Sequence, residues 1–361
     1  MKGFSMKKNK WTLIYIVLNI FIIVLIGFMD PEIKDLDKIF GKVKPAWLVV
    51  AVATMVVFWI MDGAILSYGI KLIYRGKSFW KCFKISIIGQ YYNAITPFAS
   101  GGQPAQVYYM NMIGIPGGSA SSILMIKFLI YQIVLSIFST VAIVWKGMTI
   151  YNFNSWVFWF SIVGFVINAG AIILLVFLSI KKGFVQGLVY KIIDMLSRIK
   201  LIKNSENTKK KLKSHVEDFH HGMKLMQDNL KGMLLMGFMT GIQLICFFSI
   251  TFFIYMALGL KGESWPNIIF VQALLYLAVS FIPTPGAMGA SETGFMSFFR
   301  LFFPSNLIFV AMLLWRIISY YLNILSGILV ILFDSIKYSV SGDNVSYGAK
   351  KFIVKKHMDD I

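Results

Sequence analysis

In a chain of 361 residues, a content of 58% hydrophobic and only 14% charged side chains excludes an ordinary water-soluble domain, whose surface needs far more charge. The formal net charge of +19 would suggest nucleic acid in a soluble protein; combined with this hydrophobicity it points to loops held against anionic lipid, and no specific nucleic-acid partner is expected. Cys82 and Cys246 fall in separate apolar stretches, which supports neither a disulfide framework nor a metal site.

A helix needs about 20 apolar residues to cross roughly 30 Å of hydrocarbon. Uncharged runs that reach or approach this length are Trp11 to Met29, Ala46 to Met61, Phe128 to Trp145 (extended upstream to about Ser119), Trp156 to Ile180, Gly232 to Leu260, and Leu307 to Phe333 around Arg316. The first is too long for a typical signal core, and Asp30-Pro31 is no small-residue cleavage site, so it reads as a retained helix. The sequence therefore predicts an all-α polytopic membrane protein of about six transmembrane helices, forming one integral membrane domain over 1–361.

Basic residues fix the expected orientation. Lys2, Lys7, Lys8 and Lys10 precede the first run, Lys71 to Lys84 is basic without an acid, and a third basic loop occupies 181–231. All three belong on the cytoplasmic side, as does the tail 338–361 with Lys350, Lys351, Lys355 and Lys356, which places both termini in the cytoplasm. Val185 to Ile202 and Lys211 to Leu230 have helical apolar spacing with many lysines and read as amphipathic helices on the membrane surface. His215, His220 and His221 lie there without the cysteines or acids a metal set requires.

Two stretches do not fit simple crossings. Ile85 to Gly118 is uncharged but broken by Pro97, Gly101, Gly102, Pro104 and Pro116. An even number of crossings must separate the basic loops that flank it, so it is expected to dip into the membrane from the cytoplasm and return. Trp265 to Phe303 is interrupted at Pro283-Thr284-Pro285-Gly286 and Gly289, and is expected to enter from the opposite face. Bare backbone at membrane depth is tolerated only where protein or a wet cavity covers it. The echo between Thr96-Pro97 with Gly101-Gly102 and Thr284-Pro285 with Gly286 and Gly289 suggests an inverted repeat with a site near the midplane.

Ionisable residues inside the apolar runs are few and costly. Asp62 either reaches the interface or pairs with a lysine, and Arg300 snorkels outward. Lys127, Glu292 and Arg316 are flanked by long uncharged stretches and are expected to pair among themselves. Glu292 opens the returning half-helix of the second hairpin, where a carboxylate suits the helix dipole. With Lys127 and Arg316 it forms a candidate polar groove for a charged headgroup: cations suit phosphate, an acid suits an amine, and glycines bring backbone amides close. Thr96, Pro97, Gly101, Gly102, Gln103, Pro285, Gly286 and Gly289 complete the expected lipid pathway. Motifs for nucleophilic, metal-dependent or phosphate-loop enzymes are absent, and no cofactor is implied.

Gly89-Gln90-Tyr91-Tyr92-Asn93-Ala94-Ile95-Thr96-Pro97 with Gly101-Gly102-Gln103, and Pro283 through Glu292, resemble the hallmarks of the lysylphosphatidylglycerol synthase transmembrane family, over about residues 10 to 335. That resemblance implies a flippase fold with re-entrant hairpins, moving aminoacylated or other phospholipids to the outer leaflet and protecting a bacterium from cationic antimicrobial peptides. Family members often carry Glu-Arg after the first hairpin; Ile126-Lys127 stands here. The soluble domain that transfers lysine from transfer RNA is not seen in these residues, which favours translocation over lysyltransferase activity and leaves a separate lipid synthase, or a second copy of the chain, as a partner.

Overall fold

A computed structural model describes residues 43–74, 78–180, 187, 191 and 205–340. The expected first helix Trp11 to Met29, most of Val185 to Ile202 and the tail beyond 340 lie outside the described residues. Among the described residues every regular element is helical, and five helices are long and apolar enough to span a membrane. These are α1 (Pro45–Lys71), α4 (Gly117–Phe153), α5 (Ser155–Ile180), α7 (Leu230–Ala257) and the continuous pair α10 (Ser305–Arg316) and α11 (Leu322–Val340), joined by a π-helical turn over Ile317–Tyr321. Each coincides with one of the apolar runs.

Local chemistry sets the ends. Pro45 occupies the first turn of α1, where its missing N–H costs nothing. Asn229 caps α7 by accepting the Gly232 N–H at 2.8 Å. The start of α1 is tied to the end of α7 by the Lys44 N–H donating to the Ala257 carbonyl at 2.8 Å.

Outward faces confirm lipid as the solvent. Val144 is 82% exposed, and Ile173, Leu234, Phe238 and Phe333 are exposed as well. In water such a surface would aggregate; in a bilayer it is the expected exterior. Trp47, Trp145, Trp156, Trp159 and Trp265 all lie where α1 and the helix Trp265–Val279 begin and where α4 turns into α5, at one end of the bundle, in the manner of an interfacial aromatic belt.

Two helix–break–helix hairpins fill the bundle between the long helices. The first comprises α2 (Phe79–Ile95) and α3 (Gly102–Met112); the second comprises α8 (Trp265–Val279) and α9 (Ala290–Phe299). Chain connectivity hangs the first hairpin from the end where α1 finishes and the second from the end where α7 finishes. Their broken tips pack against one another.

One expectation changes. Helix α6 (Ser205–Gln227) does not present its apolar face to lipid: it packs along α4, with Val216, Met223 and Met226 buried and Gly222 pressed against Ser122. Protein covers the hydrophobic stripe because methionines adapt to the uneven surface formed by Ile123, Ile126 and Met236.

Candidate functional site

Both tips are built from the same four-residue device. Thr96 and Thr284 are extended, at φ −119°, ψ 146° and φ −110°, ψ 148°, as the residue before proline must be. Pro97 and Pro285 open a single 3₁₀ turn. The next residue is left-handed in both, Phe98 at φ 54°, ψ 20° and Gly286 at φ 61°, ψ 22°, and so is the following alanine, Ala99 at φ 51° and Ala287 at φ 49°. Three non-glycine residues in this region store strain of order 1–3 kcal/mol each, which persists where surrounding structure enforces it. Two tetrapeptides 188 positions apart in the chain thus share one unusual backbone, which strengthens the repeat suggested by their sequence. Phe98 is 59% exposed and contributes little packing, so Phe98→Gly is expected to leave the unfolding midpoint unchanged or to raise stability by up to about 1 kcal/mol; a clear loss in a denaturation series would show that the ring anchors the tip.

Each break satisfies its own backbone. In the first, Thr96 Oγ1 donates to the Tyr92 carbonyl at 2.6 Å and accepts the Gly101 N–H at 2.8 Å, while Asn93 Oδ1 accepts the Gly102 N–H at 3.0 Å. In the second, Glu292 Oε2 accepts the Gly289 N–H at 2.7 Å and Thr284 Oγ1 donates to the Met288 carbonyl at 3.1 Å.

Two ion pairs lie among these helices, one fully buried and one with a partly exposed lysine. Glu292, with no exposed surface, meets Arg316 through Nε at 2.7 Å and Nη2 at 2.6 Å, both on Oε1. Arg316 Nη2 also donates to the Gly286 carbonyl at 3.1 Å, and its guanidinium carbon lies 5.3 Å from the Trp315 ring and 5.0 Å from that of Tyr320. The guanidinium therefore ties the second tip to α10 at the residue where the π-helical turn begins, a local widening common at functional sites. Tyr320, within that turn, donates its hydroxyl to the Ala94 carbonyl at 3.0 Å, linking the last helix to the first hairpin.

The second pair corrects an expectation. Lys127 does not join Glu292 and Arg316; its ammonium sits 2.8 Å from Asp62. Asp62 in turn accepts from Gln243 Nε2 at 3.0 Å and Gln90 Nε2 at 3.4 Å. It is no helix-end residue reaching for the interface, because α1 continues nine residues beyond it to Lys71. Lys127 follows Thr96 by 31 positions and Arg316 follows Thr284 by 32, so each half places one cation on the helix that leaves its hairpin.

The remaining sequence-marked residues divide by place. Thr96, Gly101 and Gly102 close the first break, and Pro285, Gly286 and Gly289 the second. Pro97 and Gln103 are exposed; the buried glutamine of α3 is Gln106, one turn further on. Arg300 is exposed at the end of α9. Residues not singled out in the sequence are Gln243 and the hydroxyl pair Tyr131 and Tyr276, 3.0 Å apart, while Gln90 figured there only as part of a motif and not as a partner of Asp62. A lone amide inside a long apolar run was the available signal, since such a group must find a partner within the protein.

Residues 13–327 match the family described as lysylphosphatidylglycerol synthase TM region. The chain is also similar to a UPF0104 membrane protein of Archaeoglobus fulgidus, 26% identical over 301 residues that cover 80% of this chain and 87% of the relative. A second UPF0104 membrane protein, from Methanocaldococcus jannaschii, is 21% identical over 339 residues, covering 91% and 96%.

Proposed function

Because the chain belongs to the lysylphosphatidylglycerol synthase TM region family, we propose that it moves phospholipids between the leaflets of the cell membrane, with its hairpins re-entrant from opposite faces and both termini in the cytoplasm. One observation carries the reading: two strained breaks that share a tetrapeptide backbone meet tip to tip, with an ion-paired cation on the helix that follows each. Irregular backbone at membrane depth is tolerated where it borders a protected polar route, and paired interrupted segments in two halves of a chain mark the transport site of inverted-repeat transporters.

The pathway then runs past Thr96, Gly101, Gly102, Lys127, Gly286, Gly289, Glu292 and Arg316, with Pro97, Gln103 and Pro285 at its edges. Lys127 and Arg316 supply charge for a lipid phosphate, Arg316 with the planar fork that suits two oxygens. Asp62 and Glu292 are the resident counter-ions that a headgroup must displace. An aminoacylated lipid would find in the same acids a partner for its amine, and moving it outward would lower the negative charge of the cell surface.

Vesicles containing the purified protein test this directly. Labelled phosphatidylglycerol should exchange between leaflets well above the rate in protein-free vesicles, and no lysyl lipid should form when lysyl transfer RNA is supplied. Lysyl lipid without exchange would make the chain a transferase and remove the translocator reading.

A further inference from the structure

Four helices converge on one carboxylate that stands apart from the Glu292–Arg316 pair. Asp62 on α1 accepts from Lys127 of α4 and Gln243 of α7 on Oδ1, and from Gln90 of α2 on Oδ2. The titratable groups facing it are Lys127 itself, Tyr131 one turn along α4, and Tyr276 on α8, whose hydroxyl accepts from that of Tyr131 and which, like Tyr131, lies within Coulombic reach of Asp62. Cys82 of α2 sits beside Ser67, near Lys127 and Lys71. From α7 comes only the neutral Gln243.

Two features set this cluster apart from a static ion pair. First, Gln243 Oε1 is buried and has no hydrogen-bond partner. An ionised carboxylate can only accept, whereas a protonated one donates; a half-turn of the Gln243 amide presents Oε1 to that hydrogen. The protein thus keeps beside Asp62 an unpartnered acceptor, which a protonated acid can use and an ionised one cannot. Second, the Lys127 side chain retains 14% exposure against 5% for Asp62, so the ammonium has somewhere to go once its counter-charge is removed.

We propose that Asp62 is a proton-binding coupling residue, and that a proton on Asp62 releases Lys127 to the phosphate of an anionic lipid. The inference rests on the translocator reading. Water on one side gives a proton to an Asp62 oxygen, and the Lys127 ion pair separates. The lipid phosphate becomes the new counter-ion of the ammonium. On the other side the phosphate departs, Asp62 returns its proton to water, and the pair re-forms. No other bond changes, and the lipid anion and proton cross as an electrically neutral unit, which spares the bilayer interior an uncompensated charge during the crossing itself.

Phosphatidylglycerol bearing a fluorescent headgroup-side label, at trace level in vesicles with a pH step across the membrane, tests the coupling. One proton per lipid sets a leaflet ratio of about tenfold per pH unit in favour of the alkaline side, reached faster than in protein-free vesicles. Asp62→Asn should lose this accumulation and Asp62→Glu should keep it. Independently of any lipid, acidifying the wild type in vesicles should raise an infrared band of a protonated carboxyl that Asp62→Asn lacks and Glu292→Gln retains. Exchange that ends at equal distribution despite the pH step, a distribution set by a sodium gradient instead, or a carboxyl band that survives in Asp62→Asn each overturns the proposal. Should the wild type move no lipid at all, the translocator reading falls, and the infrared result alone decides whether Asp62 takes up the proton.

Discussion

Arg316→Met is expected to destabilise the protein by about 3–5 kcal/mol, read as a lower unfolding midpoint in detergent or lipid. The origin of the effect is the group left behind rather than the bond removed. Glu292 has no exposed surface, and a buried carboxylate deprived of its cation loses the interaction that offset its desolvation. Arg316 also holds the Gly286 carbonyl and lies against Trp315 and Tyr320, so its loss frees the second tip as well. Adding Glu292→Gln to this variant should recover most of the stability, to within about 1 kcal/mol of the wild type, because the amide still caps the Gly289 N–H while neither partner carries charge. Transport should stay lost in the double variant, since the phosphate-binding charge has gone. A single variant that melts like the wild type would mean that water reaches Glu292 in the membrane and that the pair behaves as a surface contact.

The contrast between what sequence revealed and what it hid follows from the range of each interaction. Breaks at Thr96 to Gly102 and at Thr284 to Gly289 were legible because proline and glycine act within a few residues of themselves. Charges at Lys127, Glu292 and Arg316 stood out because each interrupts a long apolar run. Glu292 and Arg316 pair as expected, whereas Lys127 does not join them, because the choice of partner is made by helix packing: Lys127 meets Asp62 through the approach of α4 to α1, and nothing local to Asp62 says which lysine it takes. For Asp62 the sequence left two readings open, the interface or a lysine partner, because of a hydropathy boundary. The apolar run ends at Met61, yet Asp62-Gly63-Ala64-Ile65-Leu66 continues the helix, since one acid lowers hydrophobicity without breaking the hydrogen-bond ladder. Sequence likewise marked Gln103, which the structure exposes, and passed over Gln106, because a 3.6-residue period decides which glutamine faces the core and the short α3 gives that period few apolar positions to reveal it.

The shared backbone of the two tips is more informative than their residues. Phe98 and Gly286 adopt the same left-handed conformation, yet one carries an aromatic ring and the other no side chain at all. Conformational freedom alone therefore does not account for the glycine. The difference lies in what stands beside each position: Phe98 projects into the open, whereas a Cβ on Gly286 would enter the ring of Tyr320. One backbone plan thus serves two surroundings, the first tip leaving an open face and the second closed against the final helix.

Gly286→Ala tests that closure. A left-handed alanine costs about 1–2 kcal/mol, and overpacking against a ring adds about 1–3 kcal/mol, for an expected loss of about 3 kcal/mol. Tyr320 cannot yield freely, because its hydroxyl is bonded to the Ala94 carbonyl of the first hairpin and its ring faces the Arg316 guanidinium. Displacing it therefore pulls on both tips together, and lipid exchange should fall at least tenfold even in preparations that remain folded. Placing alanine at position 98 is the matched control: it keeps a left-handed Cβ but meets open space, so neither stability nor exchange should change by more than about 0.5 kcal/mol or twofold. If Gly286→Ala behaves like that control, the second tip is not seated against Tyr320, and the coupling of the two hairpins through the final helix has to be abandoned.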